Sequence, residues 1–322
     1  MLICQFCEEE YCMNEDFDRN KEGFWCDVCD GYTYYDDNAL KHQFTLILED
    51  KEANQPLFST PSIKFRKQLS PFRFPGGKSK VVDYLYSFLQ NGKTTTLYSP
   101  FSGGGSFELA MLDAGVVNKL HMNDLDFGVY SVWWVIMNAP YTLVDKIRTA
   151  KPTHKDYFEA QAIIKSDYLG VNMVEASWAT LLVNRLAFSG IAKANPLGGK
   201  EGTKNALLAR WNREELIKRI EHIHSFSDRI TITQENAVEM IQEAYWDHNS
   251  SIFIDPPYVA KGKELYNCFY TESDHLLLCG LLDSLHQGMP GADIIVTYDH
   301  TPWLQKIYKY PNELIIGRKY SI

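Results

Sequence analysis

Short apolar segments alternate with longer amphipathic segments from residue 71 onward, and no other feature of this sequence constrains the fold as strongly. The apolar segments have the length and the β-branched and aromatic content of buried strands, and they lie at 94–99, 118–123, 229–233, 251–255 and 292–298. The amphipathic segments predict helices at about 78–90, 106–115, 126–138, 155–168, 173–187, 212–225, 235–245 and 273–287. Because alternating strands and helices form a mostly parallel sheet covered on both faces, the sequence predicts an α/β fold.

The connection between the second and third candidate strands is far longer than a normal crossover connection, at about a hundred residues. It shows helical periodicity and contains one basic loop rich in Gly and Pro, SGIAKANPLGGKEGTKN, at 189–205. We therefore predict an inserted, mainly helical subdomain at about 140–228, within a main domain that spans 71–322.

The net charge of −9 argues against a nucleic-acid partner, but the charge is unevenly distributed. Residues 1–52 carry fourteen acids and four bases, whereas the remaining residues carry 27 acids and 28 bases. Residues 64–80 carry six bases and no acid, and residues 184–219 carry eight bases and three acids. Because local patches decide whether a polyanion binds, these two segments permit a nucleic-acid partner. Two ordinary solvated faces are the alternative interpretation.

The location of the protein is predicted from two absences in the sequence. No apolar run approaches the ~18–20 residues that span a membrane. The first ten residues, MLICQFCEEE, lack the basic and apolar regions of a signal peptide. We therefore expect a cytoplasmic protein with no membrane partner.

Five of the seven cysteines lie in the first 29 residues, and four of them form two CxxC pairs separated by eighteen residues. This spacing is typical of a four-cysteine zinc ribbon, in which each pair gives two thiolates to one tetrahedral ion. A disulfide pair and chance clustering are the alternatives, and a cytoplasmic location disfavours the former. With no vacant position in the ligand set, the ion is expected to be structural. The predicted zinc ligands are Cys4, Cys7, Cys26 and Cys29.

The ribbon is predicted to span 1–48, with the strand-like run FTLIL at 44–48 as its last strand. A linker is predicted at 49–70, because this segment is polar and contains two prolines. The ribbon is too acidic to clamp DNA directly. We therefore expect it to contact a protein partner or to pack against the main domain.

Polar and glycine-rich segments follow three of the candidate strands. Gly103, Gly104 and Gly105 stand between the first strand and a helix, where glycines let a ligand approach the backbone. Asp124 follows the second strand and can accept hydrogen bonds from a ribose diol, although a simple helix N-cap is the alternative. Asn236 follows the third strand, where the edge of an adenine ring could be bound. Together these strand ends predict an adenosine-containing cofactor at the carboxyl edge of the sheet.

The fourth strand ends in Asp255-Pro256-Pro257-Tyr258. Asp255 and the carbonyl of Pro256, whose ring fixes the backbone, can accept two hydrogen bonds from one amino group. Tyr258 offers a face on which a planar base can stack. The arrangement suits an exocyclic amine that must be aimed at an electrophilic methyl group. A proline-rich turn that merely ends a strand is the alternative.

These segments resemble, in sequence order, the motifs of Dam-type N6-adenine-specific DNA methyltransferases. PFRFPGGKSK (71–80) is similar to the opening motif of the family, and YSPFSGGG (98–105) to its glycine motif. NDLD (123–126) is similar to the second motif, and NRLAFSG (184–190) to the start of the recognition region. DPPY marks the catalytic loop of the family. The resemblance extends from residue 71 to about 322.

The resemblance implies a Rossmann-like S-adenosylmethionine-dependent methyltransferase sheet, with the insertion as a DNA-recognition subdomain. It implies a bacterial or phage-encoded restriction-modification enzyme, associated with the nucleoid, that acts on an adenine flipped out of double-stranded DNA. The implied cofactor-binding residues are Phe74, Gly76, Gly77, Lys78, Pro100, Phe101, Gly103, Gly105, Asp124, Asn236 and Asp255. The implied DNA-binding residues are Arg73, Asn184, Arg185, Ser189, Lys193, Asn195 and Lys200.

Two other functions fit the same motifs. The chemistry of the DPPY segment also suits a methyltransferase that acts on RNA or on a protein amide. A catalytically impaired DNA-binding or decoy protein of this fold is the second alternative, because the chain ends at RKYSI, where relatives usually continue into a further strand. We therefore expect a late strand to be missing or shortened. The segment after NRLAFSG does not match GATC-specific enzymes, so the target sequence is not predicted.

Overall fold

The computed structural model describes residues 44–50, 63–74, 76–89, 94–259, 262–288, 291–308 and 312–317, together with the backbone of four short strands nearer the N-terminus. The strands are β1 (Leu2–Ile3), β2 (Glu10–Tyr11), β3 (Gly23–Cys26), β4 (Gly31–Tyr34), β5 (Phe44–Asp50), β6 (Thr96–Ser99), β7 (Lys119–Asn123), β8 (Ile230–Thr233), β9 (Ser250–Ile254), β10 (Asp293–Asp299) and β11 (Asn312–Gly317). The helices are α1 (Val82–Tyr86), α2 (Ser106–Asp113), α3 (Phe127–Asn138), α4 (Pro140–Thr149), α5 (His154–Lys165), α6 (Met173–Leu186), α7 (Lys204–Leu207), α8 (Arg213–His224), α9 (Ala237–Ala244), α10 (Gly262–Leu265), α11 (Glu272–Gln287) and α12 (Pro302–Ile307).

Seven of these strands form one parallel sheet, in the order β11-β5-β10-β9-β6-β7-β8. The five strands predicted from the sequence are β6 to β10, and each observed boundary lies within two residues of the predicted one. Parallel neighbours place the carboxyl ends of these strands along the same edge of the sheet. The predicted α/β fold with a parallel sheet is confirmed.

Helices cover both faces of the sheet, and each face has its own buried apolar cluster. Side chains of α1 to α4 and α8 contribute to one cluster, whereas α9, α11 and α12 contribute to the other. Successive residues of β9 show the division, because Phe253 belongs to the first cluster and Ile252 and Ile254 belong to the second. Burial on both faces explains why the strands are continuous apolar runs instead of alternating patterns.

The assignment of FTLIL to a zinc ribbon is wrong, because these residues belong to β5 in the large sheet. β5 lies between β10 and β11, with Leu46 opposite Val296 and Leu48 opposite Ile315. Residues 45–49 are all buried, as expected for an inner strand of a parallel sheet and not for the last strand of a small ribbon. The start of the predicted linker, 49–50, also lies within this strand. A late strand is present as β11.

The long connection between β7 and β8 is helical, as its periodicity predicts. Between residues 140 and 228 it contains α4 to α8, and α6 packs along α3. α5, α6 and α7 enclose a small apolar cluster of their own, which includes Tyr157, Leu182 and Leu207. Its function as a DNA-recognition subdomain stays a prediction.

The zinc prediction falls on residues that lie outside the described side chains. Only the backbone of β1 to β4 is described in that region, as the antiparallel pairs β1–β2 and β3–β4. Within the described residues, no group of three or more His, Cys, Asp or Glu side chains could hold a metal ion. A zinc ion at Cys4, Cys7, Cys26 and Cys29 and a protein partner for this region therefore stay predictions. None of the described helices is long and apolar enough to cross a membrane.

Candidate active site

A cavity of about 360 Å³ opens at the edge of the sheet where β6, β7, β8 and β9 end. Ligands of open parallel sheets bind at this edge, and small-molecule pockets typically measure about 300–1,000 Å³. The structure brings all eleven residues that we predicted to bind the cofactor to the wall of this one cavity. They are Phe74, Gly76, Gly77, Lys78, Pro100, Phe101, Gly103, Gly105, Asp124, Asn236 and Asp255.

The glycine turn after β6 bends because two of its residues have left-handed backbone conformations. Gly103 has φ +44° and Gly105 has φ +58°, a region that L side chains rarely adopt. The backbone NH of Gly103 donates to Asp124 Oδ2 at 2.8 Å, and the carbonyl of Gly103 accepts from the Trp133 indole NH at 3.0 Å. The turn is therefore fixed to the end of β7 and to α3, with bare backbone facing the cavity.

Replacing Gly105 with Ala is expected to lower the free energy of unfolding by about 2–4 kcal/mol, because strain and overpacking add. The added Cβ would stand 2.6 Å from Met122 Cε and 3.2 Å from Trp133 Cζ2. Gly115→Ala is the matched control, since Gly115 has φ +70° and a Cβ added there would meet nothing within 4 Å. The control should lose only about 1 kcal/mol from backbone strain. Urea unfolding measures both, and equal losses would show that the crowding at Gly105 has no energetic effect.

Asp124 is held in the cavity wall and does not cap the following helix. Its Oδ1 accepts from the backbone NH of Asp126 at 3.0 Å, and its Oδ2 accepts from Gly103. The N-cap of α3 is Asp126, whose Oδ1 accepts from the NH of Gly128 at 2.8 Å, so the N-cap alternative for Asp124 is wrong. Burial, and secondarily the nearby Asp126 carboxylate, raise the pKa of Asp124 to about 7.

Two asparagines have different positions at the strand ends. Asn236 caps α9, because its Oδ1 accepts from the NH of Val238 at 2.9 Å, and it also lines the cavity. Asn123, which the sequence patterns did not single out, donates to the carbonyls of Pro100 and Glu235, each at 3.0 Å. Asn123 thereby ties the turns after β6 and β8 to the end of β7. Its place at the end of a predicted strand, directly before the acids of NDLD, is the sequence signal that could have identified it.

Asp255 follows β9 and presents its carboxylate to the cavity. Its Oδ1 accepts from Lys78 Nζ at 2.7 Å and from the Thr297 hydroxyl at 2.7 Å. Among the described residues, none donates a hydrogen bond to Oδ2, and the side chain is 22% exposed. Burial raises the pKa of Asp255, whereas the Lys78 ammonium opposes that rise. One oxygen is thus fixed by the protein, and the other is available to a donor in the cavity.

The other three residues of the DPPY segment differ in how far they are exposed to the cavity. Pro257 lines the cavity, and Pro256 is buried directly behind Asp255. Tyr258 is only 7% exposed, and its hydroxyl donates to Glu49 Oε2 at 3.1 Å. The Tyr258 ring does not line the cavity in this conformation. Stacking of a base on this ring requires the ring face to be uncovered, so the stacking stays a prediction.

Two aromatic rings that line the cavity are nearly parallel. The rings of Phe74 and Tyr266 have centroids 6.3 Å apart and planes 21° apart. Tyr266 was not among the predicted site residues. It lies on the loop after the DPPY segment. Its aromatic side chain so close to that segment was the sequence signal that could have identified it.

Comparison with known proteins agrees with this geometry. Residues 74–322 match the D12 class N6 adenine-specific DNA methyltransferase family. This match covers most of the chain and includes all eleven candidate cofactor residues. The protein belongs to that family. It is also similar to the Type II methyltransferase M.CviBI of Paramecium bursaria Chlorella virus NC1A, with 22% identity over 210 residues, which cover 64% of this chain and 75% of that protein.

Membership of the D12 class makes the chain an adenine-specific DNA methyltransferase, and the family implies S-adenosylmethionine as the methyl donor. The cavity fits such a donor, since it combines a bare glycine turn, a carboxylate at the end of β7 and aromatic walls. The Dam-type resemblance seen in the sequence is confirmed at the level of the family. The predicted zinc ribbon lies outside the residues that the family match covers.

The residues that we predicted to bind DNA in this methyltransferase mostly lie away from the cavity. Asn184 lines it, but its amide also joins two segments: Nδ2 donates to the Arg73 carbonyl at 3.0 Å, and Oδ1 accepts from the Arg73 NH at 2.8 Å. Lys193 donates to the carbonyls of Lys263 and Tyr266, each at 2.9 Å, so the basic loop reaches the segment after DPPY. Ser189 has φ +55° within the NRLAFSG turn. Asn195 and Lys200 are exposed on the basic loop.

Four arginine side chains from separate segments gather beside this turn. Burial lowers the pKa of Arg185 to about 10, and three neighbouring guanidinium groups add to that effect. The three neighbours are Arg219, Arg73 and Arg210. Within the described part of the chain, the buried Nε of Arg185 has no hydrogen-bond partner. Arg210 and Arg219 were missed because only the fold brings them next to Arg185.

Proposed function

We propose that this methyltransferase binds a specific site in double-stranded DNA, flips out one adenine and methylates its exocyclic N6 amine. The observation that carries the proposal is the position of Asp255 in the wall of the cavity that all eleven candidate cofactor residues line. A carboxylate acceptor and a methyl-donor pocket in one cavity are what N6 methylation requires.

The DPPY segment is proposed to hold and aim the target amine. Asp255 Oδ2 and the carbonyl of Pro256 accept its two N–H groups, which directs the nitrogen lone pair towards the cavity. S-adenosylmethionine supplies a methyl group on a positively charged sulfur. The new N–C bond forms as the C–S bond breaks, and the amine then releases one proton. Positioning supplies most of the rate enhancement in such a transfer, because an aligned pair of reactants needs little further help.

The cofactor is proposed to lie across the ends of β6, β7 and β8. Asp124 would accept the ribose hydroxyls, Asn236 would contact the adenine edge, and Lys78 would lie at the methionine end. The hydrogen bonds that already fix Asp124 to the glycine turn support this placement, because they keep its carboxylate aimed into the cavity.

The four-arginine cluster is proposed to bind the DNA backbone. The charges of Arg73, Arg210 and Arg219 add to the lowering of the Arg185 pKa, and such a concentration of positive charge attracts phosphate. The cluster adjoins the NRLAFSG turn and the segment 71–78, so a bound duplex would lie over the mouth of the cavity.

A methyl-transfer assay tests the proposal. Tritiated S-adenosylmethionine is incubated with double-stranded DNA, single-stranded DNA and RNA, and the products are digested to nucleosides. We expect label in N6-methyl-2′-deoxyadenosine from duplex DNA, and long-read sequencing then identifies the target site. Label in cytosine, or in RNA only, would contradict the proposal. If no DNA is labelled and calorimetry detects no cofactor binding, the decoy alternative is the correct one.

Replacing Arg210 with Ala is expected to weaken DNA binding by about tenfold and to reduce the slope of log K against log salt by about one. Arg210 is exposed, and no described contact of its side chain stabilises the fold, so the effect reports on charge. Arg148→Ala is the matched control, because Arg148 is 57% exposed on α4 beside Asp145. Fluorescence anisotropy with a labelled duplex at several salt concentrations measures both. Equal effects of the two substitutions would show that the cluster is not the phosphate site.

A further inference from the structure

Glu49 is a buried acid on β5 that lies upstream of the family match, which begins at residue 74. Its side chain is fully buried. The strand places it on the same face as Thr45 and Ile47, because side chains alternate along a strand. Ile47 belongs to the apolar cluster on that face. A carboxylate in this position costs several kcal/mol of desolvation unless charged or polar partners compensate it.

Two partners of Glu49 belong to the candidate active site. Its Oε1 lies 3.4 Å from Lys78 Nζ, and its Oε2 accepts the hydroxyl of Tyr258 at 3.1 Å. Lys78 in turn donates to Asp255 at 2.7 Å. Glu49 therefore contacts Lys78 of the opening motif and Tyr258 at the end of the DPPY segment. Through Lys78 it is also linked to Asp255 at the start of that segment. Lys78 is only 3% exposed, so water does little to screen these contacts.

The neighbouring backbone leaves Tyr258 little room to move away from Glu49. A Cβ at Gly76 would stand 2.5 Å from the Tyr258 hydroxyl, so only the bare glycine admits the phenol at this position. The Lys78 ammonium lies 5.6 Å from the centre of the Tyr258 ring. The position of the ring is therefore set by Glu49, Lys78 and Gly76 together, and Glu49 binds the hydroxyl through a charged acceptor.

We propose that Glu49 is a positioning residue for methyl transfer, which fixes the Tyr258 ring through its hydroxyl and holds Lys78 between two carboxylates. This inference rests on the proposed function. It also gives the N-terminal part of the chain a direct connection to the chemistry, since β5 carries the acid and the DPPY segment carries its partner.

A double-mutant cycle between Glu49 and Tyr258 tests the inference. We expect Glu49→Ala to lower kcat by about 10- to 50-fold, with KM for DNA changed less than about threefold, because a positioning contact acts in the transition state. Tyr258→Phe removes the hydroxyl and should lower kcat by about five- to tenfold. The double variant should be no slower than Glu49→Ala, because the two substitutions remove the same hydrogen bond.

Two further variants separate positioning from folding. Thr45→Val lies on the same buried face of β5 and should leave kcat unchanged. Glu49→Gln keeps an oxygen for the Tyr258 hydroxyl but removes the charge, so it should recover most of the activity lost in Glu49→Ala. Three charged groups face Asp255, namely Lys78, Glu49 and Glu108. Since the Glu49 charge raises the pKa of Asp255, Glu49→Gln should move the acidic limb of the kcat profile to lower pH.

The activity of the wild-type protein decides whether these results test the inference or the proposed function. If wild type methylates DNA and Glu49→Ala matches it, or if the losses in the double variant multiply, the inference is wrong while the proposed function stands. If wild type is inactive with every substrate, the proposed function fails. The affinities of the same variants for S-adenosylmethionine are then measured by calorimetry. Because Glu49→Ala removes one partner of Lys78, its affinity for the cofactor should differ from that of wild type by at least about fivefold. Unchanged affinity overturns the inference in that case.

Discussion

Asp255→Ala is expected to lower kcat on the order of 10³-fold, which corresponds to about 4 kcal/mol of transition-state stabilisation. The substitution removes the carboxylate that would accept the target amine in the wall of the cavity. Cofactor affinity should change far less, by about fivefold, because the glycine turn and Asp124 are unaffected and only one partner of Lys78 is lost. Tritium transfer to duplex DNA measures the first quantity, and calorimetry measures the second.

Two other variants make the result for Asp255 specific. Asp255→Asn keeps the shape but places an amide NH2 where the amine must donate, so it should be about as inactive as Asp255→Ala. Asp145→Ala is the matched control, because Asp145 is 68% exposed on α4 and its ion pair with Arg148 is a surface contact. Turnover above a tenth of wild type in Asp255→Ala would contradict the role assigned to this carboxylate.

Asp124→Ala is expected to weaken S-adenosylmethionine binding by about 100-fold, since charge-assisted hydrogen bonds to a ribose diol contribute about 1.5–3 kcal/mol each. In wild type the affinity should also rise with pH. The pKa of Asp124 is raised to about 7, so the acid is largely protonated below that pH, whereas the ribose hydroxyls need the ionised acceptor. Binding near pH 7 should therefore release a fraction of a proton, which appears as a dependence of the calorimetric enthalpy on the buffer.

A second acid in the cavity wall provides the control for Asp124. Burial raises the pKa of Glu108 to about 7 as well, but its Oε1 accepts from the Ser99 hydroxyl at 2.6 Å. Asp124→Asn should abolish the pH dependence between 6 and 8, and Glu108→Gln should preserve it. The opposite pattern would show that Glu108 is the group that titrates on binding.

The sheet and the cofactor wall were predictable because their signals are local. β6 to β10 are apolar runs next to turn residues, and the glycine turn, Asp124, Asn236 and Asp255 follow directly from the strand ends. The part of the wall from Phe74 to Lys78 follows no strand end and was implied by the family resemblance. β5 was misplaced because an apolar run has the same local pattern whichever sheet it joins, and its pairing partners lie far away in sequence.

The remaining parts of the site depend on contacts that local patterns do not contain. NDLD offers two acids two residues apart, and only the start of α3 decided that Asp126 is the cap and Asp124 faces the cavity. Arg210 joins Arg73 and Arg185 only after the insertion has folded back on the opening motif. Glu49 and Tyr258 are 209 positions apart and meet through the sheet.

The position of β5 in the sheet also has a consequence for synthesis of the chain. Leu46 pairs with Val296, so this strand leaves the ribosome long before its partners β10 and β11 exist. At about 5–20 residues per second, the delay amounts to roughly 12–50 seconds, during which an apolar strand stays unpaired. The sheet can therefore be completed only after β11 has been synthesised, so β5 is exposed to misfolding and to chaperone binding during that delay.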